Sequence, residues 1–191
     1  SSCYFLDMRN STFITREISL SSDRKDEMAT EKLMIHSEFM MKIHDLLMKK
    51  LEKLDQKEYY FNDTGDGHLC LLWNDAHAWT TLVIACSIGF FLINKLTKYN
   101  ENELKSWSGE TGKELSLSFG IGLHSGGSLV YHNDNVDKNF AFWIVLNTAA
   151  RVESYTKNFI NVSLLLTGNF LNFLEKQYKS IQKINKQKWE N

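Results

Sequence analysis

The chain has 191 residues, 43% of them hydrophobic and 24% charged, a balance that fits one globular domain over residues 1–191 and argues against a disordered chain. Lys and Arg total 22 against 23 for Asp and Glu, so no basic excess exists to neutralise a nucleic-acid backbone, and no nucleic-acid partner is expected. Cys3, Cys70 and Cys86 are odd in number and widely separated, giving neither a disulfide framework nor a zinc spacing; a reducing, cytoplasmic compartment fits them best.

No basic segment followed by an apolar run opens the sequence, so no secretory signal is expected. Cys3 to Leu6 reads as a buried strand ending at Asp7, and Arg9-Asn10-Ser11-Thr12 supplies capping residues for a following helix. From Asp26 to Leu54, apolar residues at Ile35, Phe39, Ile43, Leu46, Leu47, Leu51 and Leu54 trace one helical face. Glu58 to Asn62 and His68 to Trp73 flank Asp63-Thr64-Gly65-Asp66-Gly67, a hairpin with a carboxylate at its tip. A second helix is expected from Asp75 to about Asn100. Within it Ala78 to Ile93 carries no charge but is diluted by Thr80, Thr81, Ser87 and Gly89. A membrane span needs about 20 predominantly apolar residues, so a core helix is expected and no membrane partner.

Tyr99 to Lys113 is polar and reads as a surface excursion. Leu115 to Leu123 alternates with period two, and His124-Ser125-Gly126-Gly127 turns it into a second hairpin arm, Ser128 to Tyr131. The loop His132 to Asn139 leads into a helix bearing Asn147 and Arg151; Phe159 to Val162 reads as a strand, and Ser163 as the cap of a last helix through Tyr178. This order predicts an α/β (α+β) fold: a mixed, mainly antiparallel sheet with packed helices, not a doubly wound parallel sheet.

Asp7 at a strand end and Asp66 at a hairpin tip converge if their strands are sheet neighbours. Two carboxylates with backbone carbonyls are the hard oxygen ligands of Mg2+ or Mn2+. Taken singly, Asp7 reads as a helix cap and Asp66 as turn chemistry. The helix start after Asp7 offers free backbone N–H groups to phosphate. Asn147 and Arg151 stand four apart on one helical face, where Arg151 suits phosphoryl oxygens or, alternatively, a surface pairing with Glu153 or Asp137.

Phe5-Leu6-Asp7-Met8-Arg9-Asn10-Ser11-Thr12, Thr64-Gly65-Asp66-Gly67, Phe119-Gly120-Ile121-Gly122-Leu123-His124-Ser125-Gly126 and Leu146-Asn147-Thr148-Ala149-Ala150-Arg151 together resemble the class III nucleotidyl cyclase catalytic domain, from about Tyr4 to Leu174. The resemblance implies a ferredoxin-like core and a homodimer with composite active sites. It implies that Asp7, Asp66 and the Met8 carbonyl hold two divalent cations, Mg2+ or Mn2+. Backbone amides of Arg9, Asn10, Ser11 and Thr12 would receive the triphosphate. From the other subunit, Asn147 would orient the ribose and Arg151 would stabilise charge at the α-phosphorus. The implied reaction forms a 3',5'-cyclic nucleotide and pyrophosphate.

The base-reading positions depart from the family pattern. Four residues before Asp66, where adenylate cyclases place Lys and guanylate cyclases Glu, stands Asn62. Seven before Asn147, where Asp, Thr or Cys is usual, stands Phe140, and Trp143 replaces a common glycine nearby. An Asn amide addresses a pyrimidine edge with a donor and an acceptor, and Phe140 narrows the pocket. The chain thus resembles the pyrimidine cyclases of bacterial anti-phage signalling, which make cyclic UMP or cyclic CMP for a separate effector protein. UTP is the favoured substrate. The alternatives are a cytidylate cyclase, an adenylate cyclase that reads its base through main-chain atoms, and a catalytically silent nucleotide-binding module. His68 and His124 read as turn histidines with backbone partners, Tyr59-Tyr60 as core packing, and Lys183, Lys186 and Lys188 as a solvated basic tail.

Overall fold

The computed structural model describes residues 1–21, 27–54, 58–73, 77–133, 135, 138–142, 144–159 and 163–189. Asp26, Asp75, Asp137, Trp143 and residues 160–162, which enter the expectations above, lie outside the described residues. In chain order the elements are β1 (Ser2–Arg9), α1 (Ser11–Ser21), α2 (Glu27–Leu51), β2 (Tyr59–Asp63), β3 (Gly67–Leu72) and α3 (His77–Tyr99). A π-helical turn (Asn100–Leu104) then leads to α4 (Lys105–Thr111), β4 (Ser118–Ser125), β5 (Leu129–Asn133), β6 (Lys138–Phe142) and α5 (Ile144–Tyr155). A 3-10 turn (Thr156–Asn158), β7 (Leu164–Leu166) and α6 (Gly168–Trp189) follow.

The main sheet runs β2-β3-β1-β4-β7; its pairs are antiparallel except β4 with β7, and β5 with β6 forms a separate two-stranded sheet. This is the mixed sheet with packed helices that the element order predicts.

Strand alternation sorts side chains to two faces. On one, Tyr4, Leu6 and Met8 join Cys70, Leu72, Ile121 and Leu123 in a core with Ile14 and Ile18 of α1, Ile43, Leu47 and Leu51 of α2, Ile88 and Leu92 of α3, and Phe170 of α6. On the other, Cys3, Leu69 and Leu71 meet Val145, Leu146 and Ala149 of α5. Tyr59 packs on the first core and Tyr60 on the second, as the packing reading of that pair expects.

Several expectations are corrected. Asp7 lies inside β1 rather than at its end: pairing with β3 stops at Asp7, but pairing with β4 carries the strand on to Arg9. The Tyr99–Lys113 stretch is helical, not an excursion: Tyr99, Leu104 and Trp107 are buried in the main core, and Trp107 meets the Tyr99 ring edge-on at 6.1 Å. Its polar residues occupy the outer face. The arm after Gly127 pairs with β6, so His132, Asn133, Lys138 and Asn139 of the expected loop belong to strands. The described strand in this stretch is β7, beginning at Leu164, while the expected one over 159–162 falls for the most part outside the described residues. Thr167, not Ser163, caps α6, its hydroxyl accepting the Phe170 N–H at 3.2 Å. Ser163 instead offers its carbonyl to the Ile121 N–H. His124 stands in β4 rather than in a turn and bonds the Thr167 hydroxyl at 2.9 Å through Nδ1.

The helix Ala78–Thr111 is, by length and composition, apolar enough to cross a membrane, and 33% of its most apolar stretch is buried here. Ala85, Ile88 and Leu92 serve the core, as expected of a core helix. Val83, Phe90 and Ile93 on the same helix are exposed.

Helix α5 lies close over β4 because Gly122 has no side chain: a Cβ there would collide with the Ala149 carbonyl and the Glu153 backbone. Backbone cannot swing aside as a side-chain tip can. Gly122→Ala should therefore destabilise the fold by about 1–3 kcal/mol, read as a lower denaturant midpoint. Gly127→Ala, which meets nothing within 4 Å, should leave the midpoint unchanged.

Candidate active site

Asp7 stands between two glycines, for its cross-strand partners are Gly67 on β3 and Gly120 on β4. No neighbouring side chain covers it from either strand. A Cβ at Gly67 would strike the Leu6 carbonyl and Thr64 Oγ1, and one at Gly120 would strike the Glu153 carboxylate and the Arg9 guanidinium. The gap between β2 and β3 turns through Gly65, whose φ of 92° favours glycine, and Asp63 Oδ1 accepts the Gly65 N–H at 2.7 Å. This turn brings Asp66 to β1: the Met8 N–H donates to the Asp66 carbonyl at 2.8 Å, and Thr12 Oγ1 donates to Asp66 Oδ2 at 3.2 Å. Asp7 and Asp66 thus share one cleft of about 420 Å3, lined also by Met8 to Thr12, Ser118 and Lys157.

The other half of the cleft is the start of α1. Asn10 adopts a φ of 70°, a left-handed conformation that Asn tolerates better than most residues, and its side-chain amide donates to the Ser116 carbonyl at 3.0 Å. The chain so reversed begins α1 at Ser11, where the first backbone N–H groups lack intrahelical acceptors. Ser11 Oγ bonds buried His36 Nε2 at 3.1 Å, and His36 Nδ1 bonds Tyr99 Oη at 2.9 Å. Two longer helices hold the loop.

Charge in the cleft is unbalanced. Lys157 Nζ lies 3.7 Å from Asp7 Oδ2, and Arg9 Nη2 lies 3.4 Å from Oε1 of buried Glu153. Among the described residues, the carboxylates of Asp7, Asp66 and Glu153 are met by the two cations of Arg9 and Lys157. Burial raises the Asp7 pKa above the usual carboxylate range and nearby Asp66 raises it further, while Lys157 and Arg9 pull it down. Glu153 is likewise raised by burial and by Asp7, against the pull of Lys157 and Arg9. A hard divalent cation fits this donor set, since it supplies the missing positive charge to oxygen ligands.

The remaining residues singled out in the sequence lie elsewhere. Asn62 is exposed on β2, paired with Leu69 and therefore on the α5 side of the sheet with Asp7. Phe140 belongs to β6, paired with Tyr131, and its side chain lies outside the described residues. Asn147 and Arg151 are exposed on α5 and do not line the cleft that holds Asp7 and Asp66. Arg151 does not pair with Glu153, because Glu153 points inward to Arg9. The side chains of Lys183, Lys186 and Lys188 are outside the described residues.

Lys157 and His36 escaped the sequence reading, and Glu153 entered it only as a surface partner for Arg151. Glu153 follows Ala149 by one helical turn, facing Gly120 and Gly122, so its burial was visible in the glycine spacing of β4. No comparable local signal marks Lys157 or His36.

No protein-family model matches the chain, and no curated protein matches it. Solved structures do. An adenylate cyclase from Trypanosoma brucei, described in its monomeric state, is similar with a TM-score of 0.56 and 17% identity, covering 89% of this chain and 72% of its own. The non-canonical dimeric guanylyl cyclase domain of the RhoGC fusion protein from the aquatic fungus Blastocladiella emersonii gives 0.51 at 20% identity, with 92% and 83% covered. The adenylyl cyclase CyaB from P. aeruginosa gives 0.51 at 16%, with 92% and 80% covered. The fold is that of a class III cyclase domain. In this cyclase fold the cleft stands where β1, the β2–β3 turn and the start of α1 meet.

The raised pKa of Asp7 carries a stability consequence. A carboxyl whose folded pKa lies above its unfolded one adds stability below the ordinary carboxylate range and loses it as pH rises through the folded value. In metal-free buffer, Asp7→Asn should therefore raise stability at pH 7, read as a higher Tm. The gain should vanish in melts taken near pH ~3, below the ordinary carboxylate pKa.

Proposed function

We propose that this chain is the catalytic domain of a nucleotidyl cyclase that converts a pyrimidine nucleoside triphosphate, UTP in first place, to the 3',5'-cyclic monophosphate and pyrophosphate. The observation that carries this reading is the meeting of Asp7 and Asp66 in one cleft beside the amino end of α1, within a cyclase fold. Asp7, Asp66 and the Met8 carbonyl would hold two divalent cations, Mg2+ or Mn2+, whose charge neutralises the triphosphate and favours ionisation of the ribose 3'-hydroxyl. The chain's own groups do the rest. Backbone amides from Arg9 to Thr12 receive phosphate oxygens at a helix start, and Lys157, half-exposed beside Asp7, reaches the same oxygens. The 3'-oxygen bonds to the α-phosphorus, the bond from that phosphorus to the bridging oxygen breaks, and pyrophosphate leaves with the electron pair. No protein nucleophile takes part.

Each chain supplies half of a site. Asn147 and Arg151 are exposed on α5 and away from their own chain's aspartates, as expected if they complete the cleft of a second copy, Asn147 orienting the ribose and Arg151 meeting charge at the α-phosphorus. The substrate assignment rests on Asn62 and Phe140, which depart from the residues usual for adenine and guanine. A pyrimidine product fits a cytoplasmic second messenger in bacterial anti-phage defence, acting on a separate effector protein.

Incubating the full chain with Mn2+ and each of the four nucleoside triphosphates, then separating the products, should give cyclic UMP as the main product. Dominant cyclic AMP would overturn the pyrimidine assignment, and no cyclic product from any of them would leave a silent nucleotide-binding module. Asp66→Ala should lower turnover by at least about 100-fold, the scale of losing a key electrostatic group, with an unchanged melting temperature. Mixing Asp66→Ala with Arg151→Ala chains should restore part of the activity through heterodimers with one intact site. Demonstrated heterodimers without recovery would refute the shared site.

A further inference from the structure

On the face of the sheet turned away from α5, the β2–β3 hairpin approaches α2. Asp63 and His68 are cross-strand partners there, so their side chains share that face, and His44 of α2 lies over them. His44 Nδ1 is 2.8 Å from Asp63 Oδ2, and His68 Nδ1 is 3.9 Å from Asp63 Oδ1. One donor atom from each of the three residues lies within 4.8 Å of the other two.

Ordinary hydrogen bonding does not account for this cluster. The His68 side chain is 4% exposed, yet its Nδ1 has no hydrogen-bond partner. His44 Nδ1 stands 2.8 Å from Asp63 Oδ2 without forming a hydrogen bond to it. A buried ring nitrogen with no hydrogen-bond partner, as at His68, is an uncompensated desolvation. Phe61 packs on both rings, with centroids 5.7 Å from His44 and 5.8 Å from His68, and shuts water out from that side. Meanwhile Asp63 Oδ1 accepts the Gly65 N–H, an outer hydrogen bond of the kind that orients a ligating carboxylate.

We propose that His44, Asp63 and His68 bind a transition-metal ion of the Zn2+ class, at a site separate from the nucleotide cleft, and that this ion fastens α2 to the β2–β3 hairpin. Two imidazoles and a carboxylate are borderline ligands that suit such an ion better than Mg2+. Bonds of about 2.0–2.1 Å in a tetrahedron set donors roughly 3.3 Å apart. The separations found bracket that value, so small side-chain rotations suffice. The half-exposed edges of His44 and Asp63 leave a fourth position open to water. None of the three residues lines the cleft of Asp7 and Asp66. The site therefore stands whether or not the chain is a cyclase.

Co2+ serves as the probe, because tetrahedral coordination gives it visible absorption. The 191-residue chain, stripped with chelator and freed of it, should develop that absorption to saturation at one equivalent, and Zn2+ should displace the cobalt while excess Mg2+ does not. His44→Ala, a change at a partly exposed helix position, should weaken Co2+ binding by no less than the roughly 10–100-fold that loss of an outer-sphere partner costs. Asp7→Asn should leave the cobalt spectrum and stoichiometry as they were. Stoichiometric Zn2+ should also raise the Tm of the parent chain and not that of His44→Ala. Absence of the band, a band indifferent to His44→Ala, or a band lost in Asp7→Asn would each overturn the proposal, the last by tracing the ion to the other cleft.

Discussion

A carboxylate on an interior strand needs open space and a counter-charge, and here the same missing side chains provide both. Asp7 sits between Gly67 and Gly120, so neither adjacent strand covers it. Gly120 and Gly122 also let α5 lie close over β4, which brings Glu153 down to Arg9 and, one turn later, Lys157 to Asp7. A side chain at Gly120 would collide with the Glu153 carboxylate and the Arg9 guanidinium, and one at Gly122 with the α5 backbone. Burial in that half-closed space raises the pKa values of Asp7 and Glu153, the neighbouring carboxylates add to the rise against the pull of Lys157 and Arg9, and the arrangement gains from any cation that enters.

The second half of the cleft is built by ties to distant helices. Ser11 at the head of α1 is bonded to His36 of α2, which is bonded in turn to Tyr99 at the end of α3. Burial lowers the His36 pKa, so the ring stays neutral and serves as one donor and one acceptor in that chain. A helix start held in this way has its amides fixed before a ligand arrives, which removes the ordering entropy that a mobile loop would lose on binding. Arg9 contributes differently from what its place in the motif suggests. Its guanidinium is engaged by Glu153, so its side chain braces α5 against β1 while its backbone faces the cleft.

What could be read from the residues alone followed from local rules. A short apolar run marked β1, period-two alternation marked β4, Gly65 marked the β2–β3 turn, and three-to-four spacing marked α2. The failures arose where tertiary contacts override composition. Tyr99 to Lys113 looks polar because its outer face is polar, yet Leu104 and Trp107 bury the inner face and make it helical. The glycines after His124 suggested a tight reversal onto β4, but β5 found its partner in β6. Asp7 and Asp66 were legible as a pair only through their motifs, since sequence gives no distance across 59 intervening steps. Lys157 and His36 carry no local mark; their roles exist only once α5 crosses β1 and α2 crosses α1.

One hairpin joins the two clusters of this molecule. Asp63 and His68 are opposed across it and face α2, whereas the next pair, Asn62 and Leu69, faces α5, and Asp66 occupies the turn between the strands. The Asp66 carbonyl is bonded to the Met8 N–H, so the hairpin tip and Asp7's strand move as one unit at that point. An ion gripping the α2 face therefore acts on a lever whose far end carries a carboxylate of the cleft. It alters that end only to the extent that it binds one hairpin position more tightly than another. A hairpin already fixed by Gly65, Asp63 and Met8 offers few alternatives, so such an ion would chiefly stiffen the position in which Asp66 already meets Asp7.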